Sequence, residues 1–396
     1  MKVKFKKEIF IFIAFFFITL SWSKFFIYNG LQNYLEYTGL FFILFGIYVR
    51  HFGKKDIKKI ILLIIVMFFF SIGLILQNMD VSKKVNAIIS MFILASIAII
   101  PCKYINKFDT YLGIEKAIIS GLVLSTILSF IFRINIITGA SEGIIVKWGF
   151  DAGLEHRNYL SYVLLSLFLI EYMKLKLGET KSKYALFVVF LFILSTNSRS
   201  SFIILFLFLV TSNINKIRVL KHKKMVTLFL VCVFLVLAGV PALQIMRNKS
   251  ETFHFRFNGL YNYLHMFSDN MKYMLFGNLK IAYGNSNMSY DENIRSIIGW
   301  DGSTELVIFN VLIKNGLIGF IGYFLIFRNY VKTSLKLHNE KLKIIAFAII
   351  ICFIISSFVE SYVANINHLF TVFIYLLLAN ISKIDANIGK GNEISL

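Results

Sequence analysis

The sequence predicts an all-α, polytopic integral membrane protein: a helical bundle of about twelve transmembrane helices with one large, partly helical extracellular loop. Three observations predict it. Of 396 residues, 58% are hydrophobic and 16% charged, against about 45–50% apolar and about 25% charged in soluble domains. Apolar runs near spanning length recur from one end of the chain to the other, so the excess is not one oversized core. Basic residues cluster in alternate connecting segments, as they do when a chain threads a bilayer.

The expected spans are 9–22, 34–49, 60–77, 85–101, 117–132, 158–175, 184–197, 200–212, 225–243, 304–327, 344–359 and 368–382. The first follows the basic start Met1–Lys7. Trp22 and Lys24 stand where a signal peptide would carry its small-residue cleavage site, so it reads as an uncleaved helix. The next spans flank the basic segments Arg50–Lys59, 102–116, 174–183, 213–224 and 328–343, and the last precedes the tail. With the N-terminus inside, inside segments carry 28 Lys and Arg and outside segments 13, with Lys314 inside a span. That imbalance puts both termini in the cytoplasm. Residues 1–396 form a single polytopic domain with no soluble domain or linker.

Residues 184–212 admit two readings, two short helices or a re-entrant hairpin, because both flanks are basic and the chain must cross an even number of times. Either way Arg199 sits at a tip on the outer side. The outer segment 244–303 is too long for a simple connector and reads as functional. Within it, Phe257, Leu260, Tyr261 and Leu264 follow helical spacing, which predicts an amphipathic helix on the membrane. Its aromatics, Tyr290 and Trp300 among them, suit either stacking on sugar faces or an interfacial belt.

The two basic residue types partition differently. Only 7 of 33 lysines fall outside, whereas 6 of 9 arginines do: Arg133, Arg157, Arg199, Arg247, Arg256 and Arg295. Arginine suits bidentate binding of phosphate or carboxylate, so an anionic, phosphate-bearing substrate is expected at the outer face. Ordinary headgroup contacts are the alternative. The net charge of +21 does not point to nucleic acid, because it resides in loops between apolar runs. Lone histidines and the scattered Cys102, Cys232 and Cys352 have no metal-ligand or pairing spacing. His156 reads as a base or an interfacial polar residue. Lys314 marks either an intramembrane functional charge or a helix starting above the membrane. Asp301 and Glu305 stand at the mouth of that helix, where a carboxylate acts as a general base or pairs with an arginine.

Three pieces of sequence, Glu155–Leu160, Ser195–Ser201, and Arg256 with Phe276–Asn278 and Asn315–Gly319, together resemble the O-antigen polymerase and O-antigen ligase superfamily of bacterial surface-polysaccharide enzymes. Glu155-His156-Arg157-Asn158-Tyr159-Leu160 is similar to that family's "RN" helix start. Ser195-Thr196-Asn197-Ser198-Arg199-Ser200-Ser201 is similar to its "T-x-SR-small" turn. The long outer loop, with Arg256 and Phe276-Gly277-Asn278, followed by Asn315-Gly316-Leu317-Ile318-Gly319, resembles its "GLIG" helix. The resemblance covers residues 150–330.

It implies a GT-C-like fold and a metal-independent glycosyltransferase, without cofactor, in the bacterial cytoplasmic membrane with its active face extracytoplasmic. It further implies an undecaprenyl-pyrophosphate-linked oligosaccharide as substrate, with membrane lipids and other polysaccharide-assembly proteins as further partners. Arg199 and Arg256 match the positions thought to hold pyrophosphate, and Arg157 the helix-start position. Ligases carry a His-Asn pair about eleven residues before the GLIG glycine. Here Thr304-Glu305 stands there, which favours a polymerase with Glu305, or His156, as the base. A ligase, a flippase of the same lipid-linked units, and a membrane sensor or scaffold remain the alternatives.

Overall fold

The computed structural model describes residues 8–49, 53–77, 80–105, 108–142, 145–213, 251–278, 281–282, 306–358, 360 and 362–393. Among them are fourteen α-helices: α1 Glu8–Ser21, α2 Lys24–Tyr28, α3 Gln32–Tyr48, α4 Lys54–Leu76, α5 Val81–Ile99, α6 Asp109–Ile131, α7 Arg157–Leu177, α8 Tyr184–Ser195, α9 Arg199–Ser212, α10 Glu251–Phe267, α11 Met271–Phe276, α12 Val307–Leu335, α13 Glu340–Ser356 and α14 Leu369–Glu393. Each expected span that falls on described residues coincides with a helix. The expected span 225–243 lies outside them.

Five helical stretches are long and apolar enough to cross a membrane: Asp56–Leu76, Val81–Ile99, Thr110–Ile131, Val307–Leu335 and Leu369–Ile388. The α4 stretch is the most telling. Its mean hydropathy is 2.9, yet only 28% of it is buried inside the protein. Ile61, Ile64 and Phe68 face outward. An all-apolar helix that the fold leaves uncovered is stable only against lipid. By contrast α14, 83% buried, forms the centre. Phe373, Tyr375, Leu376 and Leu377 are fully enclosed there by α5, α7, α12 and α13.

The long helices alternate in direction, giving the bundle two chemically distinct ends. One end collects lysines: Lys174 bonds Glu115 and Glu171, Lys383 donates to the Cys102 carbonyl at 2.9 Å, and Lys176 reaches Asn213. The helices there also stop in the expected ways. α7 ends at Gly178 in the left-handed conformation, with Lys174 and Lys176 in its last turn. The other end gathers the start of α7, the α8–α9 turn, the start of α12 and the loop 357–368.

Residues 184–212 form two helices joined by a turn. α8 and α9 are separate antiparallel helices. Their turn lies beside the start of α7, while Ser212 at the foot of α9 bonds Tyr172, deep along α7, at 2.8 Å.

The all-α expectation needs one correction. Ile137–Glu142 (β1) and Ile145–Phe150 (β2) form an antiparallel hairpin, with Ile137 opposite Phe150 and Gly139 opposite Trp148. β-branched and aromatic residues favour the strand there. A buried ion pair fastens the hairpin to α2: Lys24 Nζ lies 2.6 Å from Asp151, which is fully enclosed and also accepts from Thr138 and from the Gly153 amide.

The expected helix in the long loop exists as α10, but its packed face differs. Leu260, Tyr263 and Phe267 lie against Phe309, Leu312 and Ile313 of α12. Tyr261 is 66% exposed and Leu264 is also turned outward. Positions 260, 263 and 267 share a helical face, and the partner that selects that face is α12.

Candidate functional site

The described parts of the motif segments, far apart in sequence, lie at one end of the bundle. The first two meet around β2. The α carbon of Gly149 is so crowded that an added methyl group would stand 2.3 Å from the Thr196 carbonyl and 2.6 Å from Cδ of Arg157. Asn197, in the left-handed conformation (φ 50°), donates to the Trp148 carbonyl at 3.3 Å. The hairpin thus lies across the helix start at Arg157 and the turn that carries Arg199. From that turn Ser200 donates to the Glu360 carboxylate at 3.1 Å, and Ser198 to or from Ser200 at 3.3 Å. Nearby, Tyr162 packs on Tyr362 and Trp22 stacks on Tyr159 and His368, its indole N–H donating to the Asn367 carbonyl at 2.8 Å.

The third motif, split in sequence between 276–278 and 315–319, closes on itself. Gly316 interrupts α12 with φ 65° and ψ −169°, a conformation open to glycine. That break releases the Ile313 carbonyl from its intrahelical partner, and the Asn278 amide takes it at 2.8 Å. A methyl group on Gly316 would stand 2.2 Å from the Leu275 carbonyl oxygen, and one on Gly277 2.8 Å from the Ile313 oxygen. Backbone therefore packs on backbone at both glycines. α4 completes the joint: Gln77 donates to the carbonyls of Phe276 and Gly277, and Asn315 donates to the Phe70 carbonyl at 2.8 Å.

Just above this kink is a cavity of about 360 Å³ between α4, α5, α12 and residues 364–367. Its polar lining is Lys83, Asn86 and Ser90 of α5, Asn310 and Lys314 of α12, and Asn365 and Asn367. Among the described residues lining it, none is acidic. Asn310 is 4% exposed, and its side-chain oxygen has no hydrogen-bond partner among the described residues. Its size falls within the range of small-ligand sites, about 300–1,000 Å³.

The predicted site residues fare differently. His156 caps α7: its Nδ1 accepts from the Asn158 amide at 3.1 Å, so proton transfer by this ring would fall to Nε2. Arg157 is 7% exposed, covered by β2 and the α8–α9 turn. Arg199 is exposed at the start of α9. Arg256 lies in α10, with its side chain outside the described residues, as are Glu305, Asp301, Arg247 and Arg295 entirely. The structure therefore brings together Arg157, Arg199 and the Glu360 loop, and places Lys314 in the cavity. Partial desolvation raises the Glu155 carboxyl from its ordinary range at the same end.

Glu360, Lys83, Asn86 and Ser90 escaped the sequence reading, although two signals were present. Glu360 is an acidic residue at the end of an apolar run. Lys83, Asn86 and Ser90 fall at i, i+3 and i+7, a polar stripe along an otherwise apolar helix, and Asn310 and Lys314 are an i, i+4 pair on α12. Compared with models of known protein families and with curated proteins, the chain matches none.

Proposed function

We propose that this protein is a polysaccharide polymerase, a GT-C-like glycosyltransferase of about twelve spans. It joins undecaprenyl-pyrophosphate-linked oligosaccharide units at the outer face of the bacterial cytoplasmic membrane, for capsule or O-antigen. The observation that carries the reading is that the described parts of all three motif segments lie at one end of the bundle, the end opposite the lysine-rich one. The lysine-rich end then faces the cytoplasm, with both termini, and the motif end faces outward.

In this reading a hydroxyl oxygen of the acceptor unit attacks the anomeric carbon of the donor. The bond from that carbon to the pyrophosphate oxygen breaks, and the pyrophosphate departs with the bonding electrons on its lipid. The hydroxyl proton passes to Glu305, or to His156. Arg199 and Arg256 stabilise the charge growing on the leaving group, with Arg157 holding the helix start beside them. Arg199→Ala is expected to abolish polymer while the protein stays in the membrane; normal polymer from that variant sinks the assignment.

The polar cavity favours a second reading, a flippase of the same lipid-linked units, since a carrier needs a polar path within its helices. Cells lacking the protein separate the readings. Single units accumulating on the outer leaflet mean that export works and joining fails, as for a polymerase. Long chains not attached to their final acceptor mean a ligase. Single units trapped on the inner leaflet mean a flippase.

A further inference from the structure

Joining two lipid-linked units brings two pyrophosphates to the enzyme, one that leaves and one that stays on the growing product. The motif arginines account for one. We propose that the cavity between α4, α5 and α12 is a second diphosphate subsite, in which Lys314 and Lys83 hold the lipid-borne anionic head of the other substrate. This inference rests on the functional reading above.

Four observations carry it. Lys314 makes no ion pair or hydrogen bond among the described residues, although it sits about 10 Å along α12 from its first residue, Val307. A lone ammonium within an apolar bundle is costly, and a ligand anion supplies the missing counter-charge. The Asn310 side chain is buried with an unpartnered oxygen in the same cavity, the state of a group awaiting a donor such as a sugar hydroxyl. None of the described residues lining the cavity is a carboxylate, and Asn86, Asn365 and Asn367 add amides suited to phosphate and sugar oxygens.

The fourth observation points to a lipid-borne anion rather than a free one. The helices that wall the cavity turn apolar side chains outward at the same level. Ile75 on α4 is 69% exposed, Val81 on α5 is 76% exposed, and Ile89 is 48% exposed. A polyprenyl chain can lie along that face while its head enters between the helices.

The test uses the purified full-length protein in nanodiscs of zwitterionic lipid, with undecaprenyl pyrophosphate as probe and binding stoichiometry read by native mass spectrometry. The wild type is expected to bind two molecules, Arg199→Ala one, and Lys314→Met one. Affinity at the cavity should fall at least about tenfold, and Asn310→Leu should give a smaller loss.

Lys314→Met should unfold no earlier than wild type, because it removes an uncompensated charge. An earlier unfolding would mean a structural partner and overturn the proposal. So would two molecules bound by Lys314→Met. One molecule on the wild type, lost in Arg199→Ala and kept in Lys314→Met, removes the cavity proposal and leaves the functional reading standing. Loss in Lys314→Met with none in Arg199→Ala keeps the cavity and removes the arginine assignment. No binding to any form overturns both. Inorganic pyrophosphate that displaces the lipid from the cavity would show the diphosphate alone to be sufficient; failure to displace it would show the lipid chain to be part of recognition. Either result supports the subsite.

Discussion

Two regions at the same end of the bundle are built on opposite plans. Around Arg157 and the α8–α9 turn the chain packs closely: the hairpin lies across the helix start, a buried ion pair fastens it, and glycine at 149 lets backbone and side chain close up. Between α4, α5 and α12 the protein instead maintains a hollow, with an ammonium and an amide oxygen facing into it that have no partner among the described residues. The first arrangement fixes positions. The second turns polar groups toward an open space, where a ligand can relieve the cost of their burial. The contrast teaches that motif residues easy to read from the sequence, Arg157 and His156 among them, stand at a helix start that the fold holds in place, and that the residue no motif explained, Lys314, lines the open space.

The contrast can be broken from the filled side first. Asp151→Ala strands Lys24, which is only 12% exposed, beside its lost partner. Removing one member of a buried pair costs about 3–5 kcal/mol. Denaturation in mixed micelles should show that loss, and Lys24→Met/Asp151→Leu together should recover much of it. A cost below about 1 kcal/mol would mean the hairpin is not fastened there.

Next is the hinge between the regions. Gly316→Ala puts a methyl group 2.2 Å from a carbonyl oxygen at a φ of 65°. It should cost more than about 2 kcal/mol and shift α11 away from α12. Faster hydrogen exchange at the Asn278 amide would report it, and unchanged protection there would contradict the proposed joint. Asn315→Leu, which deletes the bond to the Phe70 carbonyl, should cost about 1–2 kcal/mol in thermal unfolding.

The smallest effect is expected on the hollow side, and with the opposite sign. Asn310→Leu replaces a buried polar group whose side-chain oxygen has no donor among the described residues, so stability should be unchanged or rise by up to about 1 kcal/mol. A loss comparable to that of Asn315→Leu would mean that the cavity is a packed polar network rather than an open site.

Much of the fold was legible because each helix is announced locally. Apolar runs, basic flanks and caps such as His156 or Gly178 act within a few residues, so the described helices fall where hydropathy puts them. The hairpin escaped because two short strands carry little periodic signal beside long apolar runs. The packed face of α10 escaped because Phe257, Leu260, Tyr261 and Leu264 and the set Leu260, Tyr263 and Phe267 are both plausible helical faces. Only the presence of α12 chooses between them.

The same division holds at the candidate site. The sequence by itself determined which segments are apolar helices, and that Gly277 and Gly316 stand where side chains do not. Only the tertiary structure decided that those two glycines face each other, that Gly149 brings the first two motifs together, and that α5 stands opposite α12. The physical reason is range. Helix formation and topology follow from hydrogen bonds and charges spaced a few residues apart, whereas Lys83 and Lys314 share a cavity across more than two hundred residues of chain. That pairing depends on which helices pack side by side, and no local pattern specifies it.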